Sequence, residues 1–343
     1  MSSGTFHFLL DVRARFRGPL FLNVHINDRC NLKCIMCDTR TYYEENLGEV
    51  INPEDLIQQL EVLKRHGLIG VVIGGTEPLL RPDICEILHK IQRIRVKPVL
   101  ITNGTLLDEE MSKTLTRTET EIVVSLDGAT PTTNDRIRGP GTFKQTVNGI
   151  SKLVACRRKT LKTLVLINTC ITSINLHEIE AIIKLGEKIG VDGVLFQNVD
   201  TNENWLKPDK EKLAAILSKI NCERTTYKIR IPPTLYLQSL VTEDELASHC
   251  FVPGLISNVD AYGNVFGCWR IKEILGNIKE TSFLNIWTSK KYREFRENVR
   301  LKRFAVCKDC GLLCYTPFNL IFNNLLRHPV KTVELIRGFF LER

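Results

Sequence analysis

The sequence predicts an α/β protein with parallel strands, followed by a small cysteine-rich domain. Apolar β-rich runs alternate with helical patterns from residue 20 to about 200. Glycines and polar residues cluster directly after those runs. From about 246 to 315, cysteines, glycines and turn residues replace the alternation. Repeated βα units imply parallel strands buried on both faces, and both an open doubly wound sheet and a barrel satisfy the pattern.

Six runs dominated by Val, Ile and Leu predict the strands of this sheet. Each run is short, and glycine, proline or polar residues bound it, which is typical of buried strands. The predicted strands are residues 20–26, 70–75, 97–104, 121–128, 163–172 and 192–199.

Between these runs, apolar residues recur at helical spacing. In the first predicted helix the apolar positions are 56, 57, 60 and 63, and Gly67 follows, where glycine ends helices. Pro82 stands at the start of the second, where proline is tolerated. The predicted helices are residues 53–67, 81–94, 107–116, 143–158 and 176–190. A helical and irregular stretch follows, and GNVFG and LGNI then indicate a hairpin-rich domain.

Residues suited to chemistry follow the predicted strands. GGTEP comes after the second strand, TNG after the third and SLDG after the fourth. Asn168 and Cys170 lie at the end of the fifth strand and Gln197 at the end of the sixth. Because parallel strands end at one face of a sheet or barrel, we expect these residues to surround one mouth.

The composition is that of an ordinary globular protein. The chain has 343 residues, 43% hydrophobic and 25% charged, with a net charge of +8. No apolar run approaches the ~20 residues of a membrane span, and the N-terminus does not resemble a secretory signal. We therefore expect a cytoplasmic protein. The basic clusters 13–17 and 157–162 lack interleaved aromatic residues, so we expect no nucleic-acid binding.

The twelve cysteines are unevenly spread. One group is Cys30, Cys34 and Cys37, and a second group lies between residues 250 and 314. Disulfides are disfavoured in the cytosol, so clustered cysteines indicate metal ligands. The isolated cysteines at 85, 156, 170 and 222 are more typical of small buried side chains.

CNLKCIMC, residues 30–37, supplies three thiolates without a fourth. A C-x3-C-x2-C loop cannot close a tetrahedral zinc site alone. His25 could complete one, but it lies inside the first predicted strand, where we expect it to pack or form a hydrogen bond. Three thiolates on a short loop suit a [4Fe–4S] cluster with one iron left open to an external ligand.

CNLKCIMC, GGTEP, TNG, SLDG and RIRG together resemble the radical S-adenosylmethionine (SAM) superfamily over residues 20 to 200. The resemblance implies a partial (β/α)6 TIM-type barrel and reductive cleavage of SAM to a 5′-deoxyadenosyl radical, with SAM bound to the open iron. It places Met36 beside the adenine, and it favours Arg138 over Arg136 for the SAM carboxylate. The other implied SAM contacts are Gly74, Gly75, Thr76, Glu77, Thr102, Asn103, Ser125, Asp127 and Asn168. Thr76 departs from the usual pattern, which has glycine there.

The second cysteine group provides a full set of four ligands. Spacing alone leaves a zinc ribbon and an iron–sulfur cluster equally open. CFVPGLISNVDAYGNVFGCW, LGNI, FLNIW and CKDCGLLC resemble the SPASM domain or its shortened form, Twitch, and the arrangement is most like the butirosin aminocyclitol dehydrogenase type. The resemblance implies one auxiliary [4Fe–4S] cluster. Its ligands would be Cys250, Cys268, Cys307 and Cys310, with Cys314 in reserve.

The resemblance implies an oxidoreductase that dehydrogenates a small polyol, sugar or aminocyclitol, with the auxiliary cluster as electron acceptor. Its expected partners are the small-molecule substrate and a flavodoxin or ferredoxin-type reductant. One alternative is an epimerase in which Cys170 donates a hydrogen atom, unless Cys170 packs against the adjacent helix. Further alternatives are a maturase that modifies peptides, and an iron–sulfur electron carrier or sensor without catalysis.

The expected organisation has five parts. They are an N-terminal extension (1–19), the radical SAM partial barrel (20–205), a connector (206–245), the auxiliary-cluster domain (246–315) and an amphipathic tail (316–343). The tail is expected to dock on the barrel, with weak contact to a membrane surface as the alternative.

Overall fold

The computed structural model describes residues 17–45, 48–157, 163–201, 203–242, 250–307 and 310. Within them, nine strands form one sheet in the order β6-β5-β4-β3-β2-β1-β7-β8-β9. The strands are β1 (Phe21–His25), β2 (Gly70–Gly74), β3 (Lys97–Thr102), β4 (Glu121–Ser125), β5 (Val165–Ile171), β6 (Gly193–Asn198), β7 (Ile256–Val259), β8 (Asn264–Phe266) and β9 (Ile274–Asn277).

The first six strands are parallel to one another and confirm the predicted α/β class. Each pairs with the next along the chain, as right-handed βα units place them. The helices between and after them are α1 (Thr39–Glu45), α2 (Pro53–Arg65), α3 (Ile84–Arg93), α4 (Glu109–Leu115), α5 (Pro131–Arg138), α6 (Thr142–Cys156), α7 (Ile179–Ile189), α8 (Lys210–Cys222), α9 (Thr234–Ser239), α10 (Val252–Leu255), α11 (Phe283–Thr288) and α12 (Lys290–Arg300).

Helix α2 shows how the sequence positions these elements. Asn52 caps its first turn by accepting a hydrogen bond from the backbone N–H of Glu54, which satisfies a donor that the helix itself leaves unpaired. Leu56, Leu60 and Leu63 recur at helical spacing and are fully buried in the main core. This apolar stripe belongs to the same core as the apolar residues of the strands, so the strands are buried as predicted.

Strand β1 has two neighbours from distant parts of the chain. It pairs in parallel with β2 on one side and with β7 on the other, where Phe21 is opposite Ile256. The Asn23 side chain donates a hydrogen bond to the Asn258 side chain across this second pairing, at 2.9 Å. β8 and β9 then continue antiparallel. The cysteine-rich region therefore extends the sheet of the barrel.

No helix in the part of the chain that the structure describes combines the length and apolar character needed to cross a bilayer. The predicted tail, residues 316–343, lies outside the described residues, as does Cys314.

Candidate functional site

The carboxyl ends of the first six strands surround a cavity of about 400 Å³. Its wall also includes a segment that follows β8, residues Trp269, Arg270 and Lys272. Nearly all the predicted site residues of the barrel line it. They are Cys30, Cys34, Met36, Cys37, Gly75, Thr76, Glu77, Thr102, Asn103, Ser125, Arg138, Asn168 and Cys170. The single mouth expected from the strand ends is therefore present.

The three-cysteine loop lies at this mouth with all three thiols free. The backbone N–H of Leu32 donates to the Cys30 sulfur at 3.5 Å, and Arg138 Nη1 lies 4.0 Å from the Cys34 sulfur. Burial raises the pKa of Cys34 to about 11, although the Arg138 guanidinium acts in the opposite direction. A metal cation bound to the Cys34 sulfur in place of the proton would offset the cost of burying this thiolate.

The donor set fits a cubane cluster. Among the described residues, no group of three His, Cys, Asp or Glu side chains converges tightly enough to hold a single metal ion. A cubane cluster bonds each thiolate to a different iron, so it requires three thiols around one space. Cys30, Cys34 and Cys37 meet this requirement because they line the same cavity.

The glycine-rich loop after β2 is tied to the segment before the cysteines. Gly75 has φ of +88°, a conformation that favours glycine. The Thr76 hydroxyl donates to the backbone oxygen of Asn27 at 2.9 Å and contacts the Asn27 side-chain oxygen. The φ angle of Thr76 itself is not positive. A threonine in the place of the usual glycine therefore brings no backbone strain.

Glu77 connects this loop to the TNG segment. Its buried carboxylate accepts hydrogen bonds from the Thr102 hydroxyl at 2.7 Å and from the backbone N–H groups of Asn103 and Leu79 at 2.8 and 3.0 Å. Burial raises the pKa of Glu77, although the bonds from Asn103 and Thr102 favour its charged form. Through these hydrogen bonds, the Glu77 carboxylate holds the glycine-rich loop and the TNG segment in fixed positions relative to each other.

Asp127 lies behind the cavity wall and does not line it. Its carboxylate is fully buried, pairs with Arg138 Nε at 2.7 Å and accepts a hydrogen bond from the backbone N–H of Cys170 at 2.7 Å. Arg138 does line the cavity. The structure thus gives Asp127 the role of holding Arg138 and β5 in place. Gly74 also lies behind the wall, as the last residue of β2.

A row of polar side chains crosses β4, β5 and β6. Ser125 is opposite Asn168, and Cys170 is opposite Gln197. All four side chains line the cavity. Asn168 and Cys170 are two residues apart on β5, so their side chains are on the same face of the strand. Burial raises the pKa of the Cys170 thiol, and the Asp127 charge adds to the rise. Cys170 is therefore a protonated thiol that lines the cavity, and it is also buried, as expected of an isolated cysteine.

Met36 packs against an apolar cluster beside the cavity. Its partners are Ile137 at the end of α5, Ile174 after β5, and Leu206. Ile35, next to Met36, donates a backbone hydrogen bond to the Ile137 oxygen at 3.0 Å. An apolar surface beside the cysteine loop is suited to a flat heterocycle such as adenine.

His25 packs inside the fold, as expected of a residue within β1. Its ring stacks on Trp269 at 4.1 Å, and its Nδ1 is 2.8 Å from the Tyr43 hydroxyl. Burial lowers the pKa of His25 to about 3, so the imidazole is neutral at physiological pH. A Cβ on Gly75 would come within 2.0 Å of this ring. The histidine therefore connects the Trp269 segment to the glycine loop.

Two ion pairs join the Trp269 segment to the barrel. Arg270 Nε is 3.1 Å from Asp200 after β6, and Lys272 Nζ is 3.5 Å from Asp38, the residue after Cys37. All four side chains contribute to the cavity. Sequence reasoning missed Arg270 and Lys272, because the strand-end rule that identified the other site residues applies to the parallel strands and not to a segment that follows β8.

The second cysteine group also gathers in the structure. Cys250, Cys268, Cys307 and Cys310 are free and half-buried. Burial raises the pKa of Cys250 to about 12, a backbone N–H of Val252 opposes the rise, and the other three thiolates add to it. Four thiols close enough to influence one another fit a fully ligated cluster. Cys268 directly precedes the cavity residue Trp269, so this group adjoins the cavity.

Comparisons with known proteins agree with both halves of this arrangement. Residues 24–186 match the radical SAM superfamily, and residues 250–311 match SPASM, an iron–sulfur cluster-binding domain. SAM and iron–sulfur clusters are therefore confirmed as the cofactors.

Relatives and solved structures of similar proteins span most of the chain. An AdoMet-dependent heme synthase of Methanosarcina barkeri is 25% identical over 321 residues, 86% of this chain and 90% of that protein. The mycofactocin maturase MftC of Mycobacterium tuberculosis is 26% identical over 309 residues, 86% of this chain and 76% of that protein. The structure of Streptococcus suis SuiB bound to S-adenosylmethionine has a TM-score of 0.67 at 17% identity, and covers 92% of this chain and 80% of that chain. The last similarity supports the partial-barrel fold.

Proposed function

Because the chain carries a radical SAM domain followed by a SPASM domain, we propose that it oxidises a substrate held between two iron–sulfur clusters. The first cluster would be held by Cys30, Cys34 and Cys37 and would bind SAM. The second would be held by Cys250, Cys268, Cys307 and Cys310, with Cys314 in reserve, and would accept an electron from the substrate.

The observation that carries this proposal is the extent of the cavity. One continuous wall includes the three-cysteine loop, the glycine loop, Arg138, and Trp269, which follows Cys268. A substrate in this cavity would contact the SAM side and the auxiliary-cluster side together. An electron carrier without catalysis has no need of such a cavity.

The residues of the chain bind and orient SAM. When bound, SAM and its cluster supply a 5′-deoxyadenosyl radical that removes a hydrogen atom from the substrate. Arg138, held by Asp127, is suited to the SAM carboxylate. Met36 would pack on the adenine, and Ser125 and Asn168 are placed for the ribose. The backbone of Gly75 and Thr76 remains the proposed cradle of the amino group.

The size of the cavity favours a small substrate or the end of a larger one. About 400 Å³ is near the lower end of ordinary ligand pockets, and SAM occupies part of it. We propose dehydrogenation of a small polyol or sugar, as in the butirosin aminocyclitol dehydrogenase type. A peptide end is the rival substrate, because SuiB, a protein of similar fold, has also been solved bound to the precursor peptide SuiA. A cytoplasmic location and a flavodoxin or ferredoxin-type reductant belong to the same proposal.

Epimerisation is a second candidate, and the position of Cys170 favours it. The protonated thiol lines the cavity. A substrate carbon radical would take the hydrogen atom from the Cys170 S–H bond, which leaves a sulfur radical. One electron from the reductant and one proton from water would restore the thiol.

The test is anaerobic reconstitution followed by iron counting and measurement of 5′-deoxyadenosine. We expect about eight irons per chain from two cubane clusters. Replacing Cys30, Cys34 and Cys37 together by Ala should leave about four irons and abolish 5′-deoxyadenosine formation. The matched control is Cys85→Ala, a half-buried cysteine outside the cavity, which should keep both. Zinc in place of iron in the wild type, or a wild type that forms no 5′-deoxyadenosine, would refute the function.

A second measurement separates the two candidate reactions. In D2O, donation by Cys170 would place one deuterium on the product carbon, because thiol protons exchange with solvent. Cys170→Ala would then form product without that deuterium or stall. Dehydrogenation predicts a product two hydrogens lighter than the substrate and full activity in Cys170→Ala.

A further inference from the structure

We propose that Arg270 and Lys272 bind an anionic group of the substrate, either a carboxylate or a phosphate. The inference rests on the proposed function, because it concerns the substrate that would share the cavity with SAM. Arg270 and Lys272 come from the segment after Cys268, which joins the cavity wall beside His25. The substrate should therefore carry negative charge at the end that faces the SPASM domain.

All four side chains of the two ion pairs line the cavity, and they differ in their exposure. The Arg270 side chain is 21% exposed and its partner Asp200 is 38% exposed. The Lys272 side chain is 45% exposed and its partner Asp38 is 78% exposed. In each pair the cation is the more buried member. Because water screens the more exposed carboxylates more strongly, they neutralise the two cations only in part, and positive charge remains available to a ligand in the cavity.

The segment that carries the two cations is held in place. Trp269 is stacked between Phe266 at 5.2 Å and His25 at 4.1 Å, and the backbone N–H of Lys272 donates to the Cys268 oxygen at 3.3 Å. Lys272 also places its ammonium group 5.6 Å from the centre of the Tyr42 ring. A fixed pair of cations loses little side-chain entropy when a ligand binds.

The backbone of Lys272 gives separate support. Lys272 has φ of +53°, a left-handed conformation that costs a residue with a Cβ more than it costs glycine. Strain of this kind clusters at functional sites, although an exposed turn such as that of Arg95 also carries it. A lysine in a turn position that favours glycine is therefore consistent with a role for its ammonium group in binding.

The contacts indicate how an anion would bind. Asp38 is mostly in water and can leave Lys272 at little cost, because exposed ion pairs contribute little to stability. An incoming carboxylate or phosphate would replace it at Lys272 and meet the guanidinium of Arg270, whose geometry suits either group. A substrate with a free ammonium group at this end would be repelled. Of the proposed substrates, an acidic sugar, a sugar phosphate or a peptide carboxylate fits, and an unmodified aminocyclitol does not.

The experiment measures binding of simple probes to the reconstituted full chain with SAM bound, by calorimetry at constant ionic strength. The probes are tricarballylate for carboxylates, glycerol 3-phosphate for phosphates, glycerol as the neutral control and glucosamine as the cation. We expect an anion to bind, and Lys272→Gln and Arg270→Gln to weaken it about tenfold or more. Lys272→Arg should retain binding. Lys279→Gln, which removes an ammonium group paired with Glu49 outside the cavity, should leave binding unchanged.

Each outcome separates the anion site from the proposed function. Binding of tricarballylate alone identifies a carboxylate site, and binding of glycerol 3-phosphate alone identifies a phosphate site. Equal affinity in wild type and Lys272→Gln, or tighter binding of glycerol or glucosamine, overturns the anion site. Wild type that binds anions but forms no 5′-deoxyadenosine overturns the proposed function and leaves the anion site in place.

Discussion

Gly75 shows how one residue connects the glycine loop after β2 to the SPASM region. A side chain there would meet the ring of His25, which stacks on Trp269. The three residues lie in contact, so the glycine loop can keep its conformation only while the histidine and tryptophan keep theirs. At this scale the position of the proposed SAM cradle depends on packing with a residue 194 positions later in the chain, Trp269.

We predict that Gly75→Ala destabilises the protein and weakens SAM binding. The added Cβ overlaps the His25 ring and is forced into positive φ, at a combined cost of about 2–4 kcal/mol. A shift of the loop should reduce SAM affinity at least about tenfold. Thermal unfolding and equilibrium dialysis with SAM measure the two effects.

The double variant with His25→Ala tests the cause. It removes the overlap and leaves the backbone strain, so part of the SAM affinity should return. Wild-type affinity in Gly75→Ala, or no recovery at all in the double variant, would show that contact with His25 does not control the loop.

Residue patterns predicted the contents of the site better than the role of each residue. Glycines, amides and cysteines after strands were recognisable because parallel strands end together. Asp127 and Glu77 belong to the same motifs, but their carboxylates are used by Arg138 and by Thr102 and Asn103. Whether a carboxylate faces a ligand or a neighbouring loop depends on side-chain directions that a motif does not specify.

At the scale of elements, the segment from Cys268 to Lys272 combines three tasks. It begins with a predicted ligand of the auxiliary cluster, continues with an aromatic residue stacked on β1, and ends with the proposed anion-binding cations. Its last residue is in the left-handed region. If Lys272 keeps this conformation because its side chain binds an anion, replacing Lys272 by glycine should raise the stability of the protein and weaken anion binding.

We predict that Lys272→Gly stabilises the protein and impairs anion binding. Glycine relieves the positive φ, which is worth about 1 kcal/mol, while the ion pair it removes contributes little. The matched control is Arg95→Gly, because Arg95 has φ of +58° on an exposed turn outside the cavity. Both variants should raise the melting temperature, and only Lys272→Gly should lose affinity for the anionic probe. Loss of stability in Lys272→Gly alone would contradict the strain argument.

Two helices that the sequence did not predict lack the apolar residues at helical spacing that identified the others. Helix α5 reads PTTNDRIR, which has no apolar stripe. It forms because Thr130 caps its start by accepting from the N–H of Thr133, and because Glu178 accepts hydrogen bonds from the hydroxyls of both threonines. Such stabilisation by a distant carboxylate leaves no local periodicity. Helix α1, directly after the cysteine loop, was also not predicted.

At the scale of the whole molecule, one sheet extends from the barrel into the SPASM region. The hairpin itself could be predicted from GNVFG and LGNI, because turn residues bracket short strands. The attachment of this hairpin to the sheet of the barrel could not be predicted. The β1–β7 pairing joins residues about 235 positions apart, as the Asn23–Asn258 bond shows, and no local pattern encodes such a partner. The consequence is a continuous backbone hydrogen-bond network between the regions of the two cysteine groups.

We predict that the barrel and the SPASM region unfold together. The chain has three tryptophans. Trp205→Phe leaves Trp269 and Trp287, both in the SPASM region, so fluorescence then reports on that region and on its contact with His25, while far-UV circular dichroism reports mainly on the barrel helices. Trp205 is 57% exposed, so the substitution should change stability little. Because β1 belongs to both pairings and the His25–Trp269 stack reinforces them, the two thermal transitions should coincide. A fluorescence transition at clearly lower temperature would mean that the SPASM region opens independently. The cavity wall at Trp269 could then open without unfolding of the barrel.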